Sequence, residues 1–423
     1  MIENLRKIWK IKDLRKKIIF VISMLVIFRL AAHIPIPGIN TENLKAFLEG
    51  NQVLGLLNMF SGGTMENFSI VMLGVAPYIT ASIIFQLLAM VVPSLEELTK
   101  EGESGQKKIN TYTRIATVPL ALLQAFAMIK LLNQSQQNIF ADLNTFTYIA
   151  IMLTISAGTM FLMWIGELIT ENKIGNGVSL LIFAGIVSSF PGTLQKFIIN
   201  YNPSQLYMYL LFAGLAVLTI VGVVIISEGQ RNIPVTYARQ TRGGRTFGGN
   251  SSHLPLRVNM AGVIPIIFAI SVVLFPSMIS QFFVNYSGII GRLANFTIKV
   301  FNNQLIYGIV YFVLVFGFTY FYTAVIFHPK KMAENLQRQG AFIPGIRPGS
   351  QTEEYLEKTM SKLLFSGASF LAVIAILPFV FQAFSGSQSL VIGGTSLLIV
   401  VSVAIETSKQ ISSQIKMHEY DKV

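Results

Sequence analysis

Cysteine is absent from this chain, charge is scarce and histidine scarcer, and each shortage closes off a class of chemistry. Without a thiol there is no disulfide, no thiolate nucleophile and no cysteine-held metal, although this alone does not fix the compartment. Only 12% of the 423 residues are charged while 52% are hydrophobic. Soluble domains carry about 25% charged residues, so the composition is that of a polytopic membrane protein rather than a globular enzyme on one anchor. The four histidines (His33, His253, His328, His418) are scattered without chelating spacing, which argues against a metal site. No acid pair falls inside an apolar run, since Glu167 and Glu406 stand at run ends. This weighs against catalysis and against a proton-coupled carrier; a sodium-coupled one stays open, because sodium can be held by backbone carbonyls. No G-x-x-x-x-G-K-[ST] motif occurs, and the glycine-rich Arg242–Asn250 stretch lies between apolar runs with no strand expected to frame a phosphate-binding turn. No cofactor is expected.

What the chain has is apolar runs. No Lys, Arg, Asp or Glu occurs from Asn67 to Leu95, longer than the ~20 residues a helix needs to cross a bilayer. Just ahead of it, Ser61-Gly62-Gly63-Thr64 interrupts a piece too short to cross, and irregular backbone at membrane depth survives only when buried in protein or lining a water-filled cavity. Val75, Ile79 and Ile83 form an apolar stripe for which, on periodicity alone, lipid-facing or core packing is the simpler account. Further spans fall at Ile18–His33, at Ile115–Ile129 after a charged loop Pro93–Arg114, and within Leu143–Gly166, Ile174–Gln195, Phe197–Ser227, Val258–Gly291 and Val300–Pro329. The run Leu363–Ile405 spans 43 uncharged residues, too long for one helix, and Ser385–Ser389 divides it into two.

Ten spans result. With the N-terminus inside, 26 of the 32 basic residues fall on the cytoplasmic side and five outside, with both termini cytoplasmic. The remaining one, Arg29, lies near the exit end of the first span and is read as snorkelling to the interface. Seven basic residues precede Ile18 with no small-residue cleavage site after the apolar run, so the first helix is expected to stay in the mature protein. Residues 3–17 can lie as a basic amphipathic helix on anionic lipids. Two long cytoplasmic segments remain. Residues 228–257 carry Arg242 and Arg245 among glycines, and residues 328–362 carry Arg338 and Arg347, the latter fixed between two Pro-Gly turns. Flexible basic loops suit an acidic protein groove or an RNA backbone.

The order of local motifs is specific. SGG at Ser61, followed by SI, LGV, PYI, ASI and QLL through Leu88, is succeeded by WIGELITENKIGNGVSLLIFAGI from Trp164, EGQRNIPVTYAR from Glu228, HLPLRVNMAGVIPIIFA from His253, FIPGIRPG from Phe342 and GGTSLLIVVSVAIET from Gly393. In these the chain resembles the SecY family, central subunits of the bacterial protein-conducting channel, over nearly its whole length. The resemblance implies an all-α fold of ten transmembrane helices in two inverted five-helix halves, residues 1–199 and 200–423. These surround an hourglass pore closed by a short re-entrant plug helix at about 58–68. It implies a pore ring of Val75, Ile79, Val178, Ile182, Ile267 and Ile399, and a plug containing Phe60, Ser61, Gly62, Gly63 and Thr64. The lateral exit would lie between spans two and seven, where Thr80, Gln124 and Asn259 could hydrogen-bond as a latch. Docking would use Arg242, Arg245, Arg338 and Arg347. Implied partners are SecE and SecG in a heterotrimer, the SecA motor ATPase, the ribosome and preprotein signal sequences, all at the bacterial cytoplasmic membrane. The expected function is passage of unfolded preproteins across that membrane and insertion of membrane proteins into it; the alternative is a secondary transporter of a small solute.

Overall fold

The computed structural model describes residues 9–50, 58, 61–133, 139–140, 144–199, 206–237, 240–242, 245–247, 251–284, 286, 288–301, 303–385 and 394–420. Helices dominate, because a chain segment in hydrocarbon must close its own backbone hydrogen bonds. In order they are α1 (Lys12–Ala31), α2 (Thr41–Gly50), α3 (Ala76–Val91), α4 (Pro93–Lys100), α5 (Glu103–Asn133), α6 (Thr145–Glu171), α7 (Gly177–Ile199) and α8 (Leu206–Glu228). After four strands come α9 (Ile264–Phe283), α10 (Ile289–Phe301), α11 (Gln304–Ile326), α12 (Pro329–Arg338), α13 (Ser350–Ser385) and α14 (Gly394–Tyr420). Each apolar run read from the sequence overlaps at least one of these helices, and the run Leu363–Ile405 overlaps two, α13 and α14. Among the described residues, five helices are long and apolar enough by themselves to cross a membrane, or six if the α3–α4 pair, bent by 101°, is counted as one span. The bend falls where Pro93 cannot continue the ladder of α3.

Several boundaries differ from expectation. The charged stretch Pro93–Arg114, read as a loop, is α4 and the first turns of α5, supported by i,i+4 pairs Glu96–Lys100 at 2.7 Å and Glu103–Lys107 at 3.4 Å. The run that begins at Asn67 is not helical at its start: Gly62 to Val75 winds through turns, and α3 begins only at Ala76. α10, a short helix with an apolar face, follows α9 where an external loop carrying Arg292 and Lys299 was expected. Residues 1–8, most of the basic N-terminal segment, lie outside the described residues.

The helices form two groups. α1, α3, α5, α6 and α7 pack among themselves, as do α8, α9, α11, α13 and α14. The groups meet along two seams, α3 and α5 against α9 on one side and α7 against α14 on the other. One apolar cluster runs through both, from Val21 and Phe28 of α1 to Leu398 and Val403 of α14.

The fold is not purely helical. β1 (Gln230–Tyr237) pairs antiparallel with β4 (Ser251–Arg257) and, at Thr236 and Tyr237, with β5 (Ala341–Phe342); β2 (Gln240–Arg242) pairs with β3 (Arg245–Phe247). The two basic segments read as flexible are thus stitched into one body. Ile233 and Val235 of β1 and Leu256 of β4 are buried with Ile343 and with Leu356 and Met360 of α13, giving the sheet its own core. The glycine-rich stretch that was read without strands has the hairpin β2–β3 at its centre.

Candidate functional site

The six residues of the expected pore ring come from four helix starts. Val75 and Ile79 stand at the head of α3, Val178 and Ile182 in the first turns of α7, Ile267 in the first turn of α9 and Ile399 near the start of α14. Val75, Ile79, Ile182 and Ile399 are buried, Val178 and Ile267 half-buried, and all six belong to the cluster shared by the two groups of helices. Branched aliphatic side chains from both groups therefore meet in one apolar cluster.

Against this cluster sits the glycine-broken segment. Phe60 lies outside the described residues; Ser61, Gly62, Gly63 and Thr64 do not. Asn58 organises it from beneath: its carbonyl accepts from Gly63 N at 2.8 Å and Ser61 Oγ at 2.9 Å, and its Oδ1 from Glu66 N at 3.2 Å. The Thr64 hydroxyl, fully buried, lies 3.2 Å from the carbonyl oxygens of both Ser61 and Met72. Gly62 takes φ +79°, a left-handed conformation that a side chain would strain. A Cβ built on it would stand 2.5 Å from the Cα of Gly185 in α7, and one on Gly185 would stand 2.7 Å from the Cα of Gly62. Two backbones touch there.

Arg29 is not where the sequence put it. Its guanidinium turns inward, half-buried, and donates to the Gly62 carbonyl at 2.8 Å. Hydropathy registers the cost of such a charge but cannot see an acceptor 33 residues away. Beyond the segment, Ile36 N donates to Phe68 O at 3.0 Å and Ile70 N to Ile34 O at 3.1 Å, forming an antiparallel bridge of Pro35 with Ser69.

A cavity of ≈ 380 Å³ adjoins the ring, with Ile79, Val178, Ile264, Ile267 and Phe268 as its apolar wall. Its polar wall holds Arg114 of α5 in an ion pair with Glu167 of α6, together with Thr170, Glu171 and Asn176. That pair, joining neighbouring helices, is one the sequence reading missed; an Arg and a Glu at the ends of successive apolar runs were the available signal. Thr80, Gln124 and Asn259 lie on or beside the three helices of the first seam, but no hydrogen bond joins them. Thr80 Oγ1 donates to its own helix at Ala76 O, 3.0 Å, and Asn259 Nδ2 to Gly262 O, 3.2 Å. Thr80 and Asn259 thus each find a backbone acceptor a few residues away. Two buried amide oxygens nearby, Gln86 Oε1 and Asn259 Oδ1, have no donor among the described residues.

The four arginines expected to dock a partner lie in the two basic segments that the β1–β5 pairing joins. Strand register sets Arg242 directly opposite Arg245. Arg338 is exposed in the last turn of α12. Arg347 is exposed in a turn anchored by buried Ile343 on one side and, on the other, by the Thr352 hydroxyl donating to the Arg347 carbonyl at 2.9 Å. A cation on a braced turn meets a partner with little loss of freedom.

The SecY family model matches residues 69–408. This chain belongs to the SecY family. It is 44% identical over 430 residues to the protein translocase subunit SecY of Halalkalibacterium halodurans, covering 99% of each chain. To the same subunit of Bacillus subtilis it is 42% identical over 432 residues, again covering 99% of each. Among solved structures it resembles one described as the structure of a protein conducting channel, with TM-score 0.62 and 16% identity over 93% of this chain and 91% of that one. It also resembles one described as showing that the plug domain of the SecY protein stabilises the closed state and maintains a membrane seal, with TM-score 0.63 and 18% identity over 93% and 91%. A third, Sec61 in the canine ribosome-channel complex, gives TM-score 0.60 and 15% identity over 94% and 91%. At these identities the likeness is one of fold.

Proposed function

We propose that this chain is the channel subunit of a protein translocase, passing unfolded polypeptide across the cytoplasmic membrane or sideways into it. The observation that carries this is the seating of a glycine-broken segment on an apolar cluster that both groups of helices build. A throat of Val and Ile holds water poorly, and an ion in so low a dielectric faces a large barrier, so the ring seals when closed. A peptide still passes, because branched aliphatic side chains give it no fixed hydrogen-bonding partner. The ten helices form two inverted halves, 1–199 and 200–423, with both termini cytoplasmic. Opening of the seam between α3 and α9, lined by Thr80 and Asn259 with Gln124 of α5 behind, gives a signal segment its way into lipid. Driving force comes from outside the chain, from a SecA motor or a translating ribosome docked on Arg242, Arg245, Arg338 and Arg347; SecE and SecG complete the heterotrimer. That relatives are named translocase subunits and that a related fold is seen on a ribosome support these assignments.

The test is preprotein uptake by proteoliposomes holding the complex and its motor. Arg347→Glu replaces attraction by repulsion on a braced turn while leaving the helices untouched, and uptake is expected to fall about tenfold, the equivalent of losing roughly 1.4 kcal/mol of contact. Normal uptake at normal protein level would remove Arg347 from the docking surface. Orientation is checked in the same strain with a reporter active only outside the cytoplasm: on after Lys45, Asn200 or Asn295, off after Gln106, Gly248 or Gly345.

A further inference from the structure

We infer that Arg29 is the latch of the closed channel and that the Pro35–Ser69 bridge is the pivot about which the plug segment leaves. The inference rests on the channel reading. Its material is the three-way contact of α1, the segment and α7. Arg29 Nη1 donates to Gly62 O at 2.8 Å, while the other face of Gly62 lies against the backbone of Gly185 too closely for any Cβ. Among the described residues no carboxylate pairs with Arg29; its guanidinium otherwise lies 5.9 Å from the ring centroid of Phe28. A charge inside an apolar helix is expensive, and here a backbone carbonyl stands where a counter-ion would be expected.

The two ends of the segment are held differently. At residues 68–70 it is tied to residues 34–36 by a pair of backbone hydrogen bonds, with Phe68 and Met72 buried in a second apolar cluster among α2, α5 and α6. That end cannot leave without dismantling a core. At Gly62 the contact is one side chain's hydrogen bond plus a glycine-to-glycine touch, whereas Met65, between the two ends, is buried in the second cluster with Phe68 and Met72 and belongs to the held end. Rotation about the bridge therefore breaks the Arg29 contact first. The released carbonyl meets water, and the guanidinium is left facing the opened throat as a cationic side chain. Arg29 acts as a positioning residue through the segment and not on the translocating chain itself.

The experiment uses the purified complex in planar bilayers, with resting conductance as the first readout. Arg29→Leu and Arg29→Gln are expected to raise the open fraction about ten- to a hundredfold, the effect of losing a hydrogen bond to a charged group, while Arg29→Lys, which keeps a cationic donor, stays near the parent. Because the chain has no cysteine, Ser61→Cys gives a second readout without background. Its labelling by a membrane-impermeant maleimide should rise in parallel with the conductance, a change that simple loss of helix packing would not produce with melting temperature unaltered. Deletion of residues 61–66 is the control. If the deletion leaks and Arg29→Leu is as tight as the parent, the latch is wrong and the channel reading stands; if the deletion does not leak either, the channel reading falls with it. Arg29→Lys leaking as much as Arg29→Leu would also overturn the latch. Should the Arg29 variants fail to fold, Gly185→Ala decides: the added methyl is expected to wedge the segment away and raise both readouts, and a tight Gly185→Ala channel would overturn the seat.

Discussion

Where α6 passes the segment ahead of α3, Gly158 comes so near the Ile70 carbonyl that a Cβ would lie 1.9 Å from it. Where α9 passes α11, the contact is instead the ring of Phe268, set edge-on to Phe318 and Tyr322 at 6.1 and 5.9 Å. The contrast runs through the two groups of helices. In the first, Gly62 meets Gly185 and Gly177 meets the Gly166 carbonyl; in the second, Phe316 meets Phe365, and Tyr307 and Tyr311 meet Phe379. Backbone-to-backbone contacts have no slack, because nothing on either side can turn aside. Rings keep much of their contact while sliding or tilting, since offset and edge geometries differ little in energy. The first group is therefore stiffest at its glycine crossings and the second loosest at its rings, although the first also holds the ring pairs Phe85–Tyr112 and Phe126–Tyr148 and the second the close approach of Gly367 to the Val258 carbonyl.

The comparison breaks most directly at Gly177. A Cβ there would lie 1.8 Å from the Gly166 carbonyl, so Gly177→Val forces α6 and α7 apart and is expected to cost about 3 kcal/mol or more, seen as loss of folded protein and a lower melting temperature in detergent. Full recovery of a parent-like melt would show that the glycine crossings have slack after all. Next in size is the ring, to which the first group contributes Val75, Ile79, Val178 and Ile182 and the second only Ile267 and Ile399. Changing Ile79, Ile182 and Ile399 together to Asn should wet the throat and raise resting conductance by about tenfold, and further when residues 60–66 are also deleted. Unchanged tightness in both would return these residues to ordinary packing. The smallest effect is expected at Tyr311, whose hydroxyl is buried without a partner among the described residues. Tyr311→Phe removes that group and keeps the ring, so stability should change by less than about 1 kcal/mol and in the favourable direction. A clear loss would mean that the hydroxyl has a bond in the working channel, and that the second group is less free to repack than its rings imply.

The sequence was a good guide where the physics is one of composition. Runs too apolar to be hydrated located a helix in every case, while the six residues carried over from the family's motifs fall in an apolar cluster too large to single them out. It was a poor guide wherever two distant segments touch. The uncharged run from Asn67 reads as helix because hydropathy takes no account of a left-handed Gly74 or of Phe68 at φ +42°, which turn the chain before Ala76. Nothing marks Gly185, one glycine among 33, as the seat of Gly62. Arg29 stood out by charge, yet its partner is a carbonyl, which every residue has. The strands were hidden because Ile233 and Val235 make too short an alternation to distinguish from the end of an apolar run.

The pairing of β1 with β5 joins Thr236 to Phe342, roughly a hundred residues apart, with α9 and α11 threaded between them. As the chain is synthesised, β1 and β4 can zip as soon as they emerge, but the third strand of the sheet is made only after the four helices α9 to α12. β5 therefore joins the sheet well after β1 and β4. The turn that carries Arg347 is thus completed only after α9 to α12 and ahead of α13 and α14.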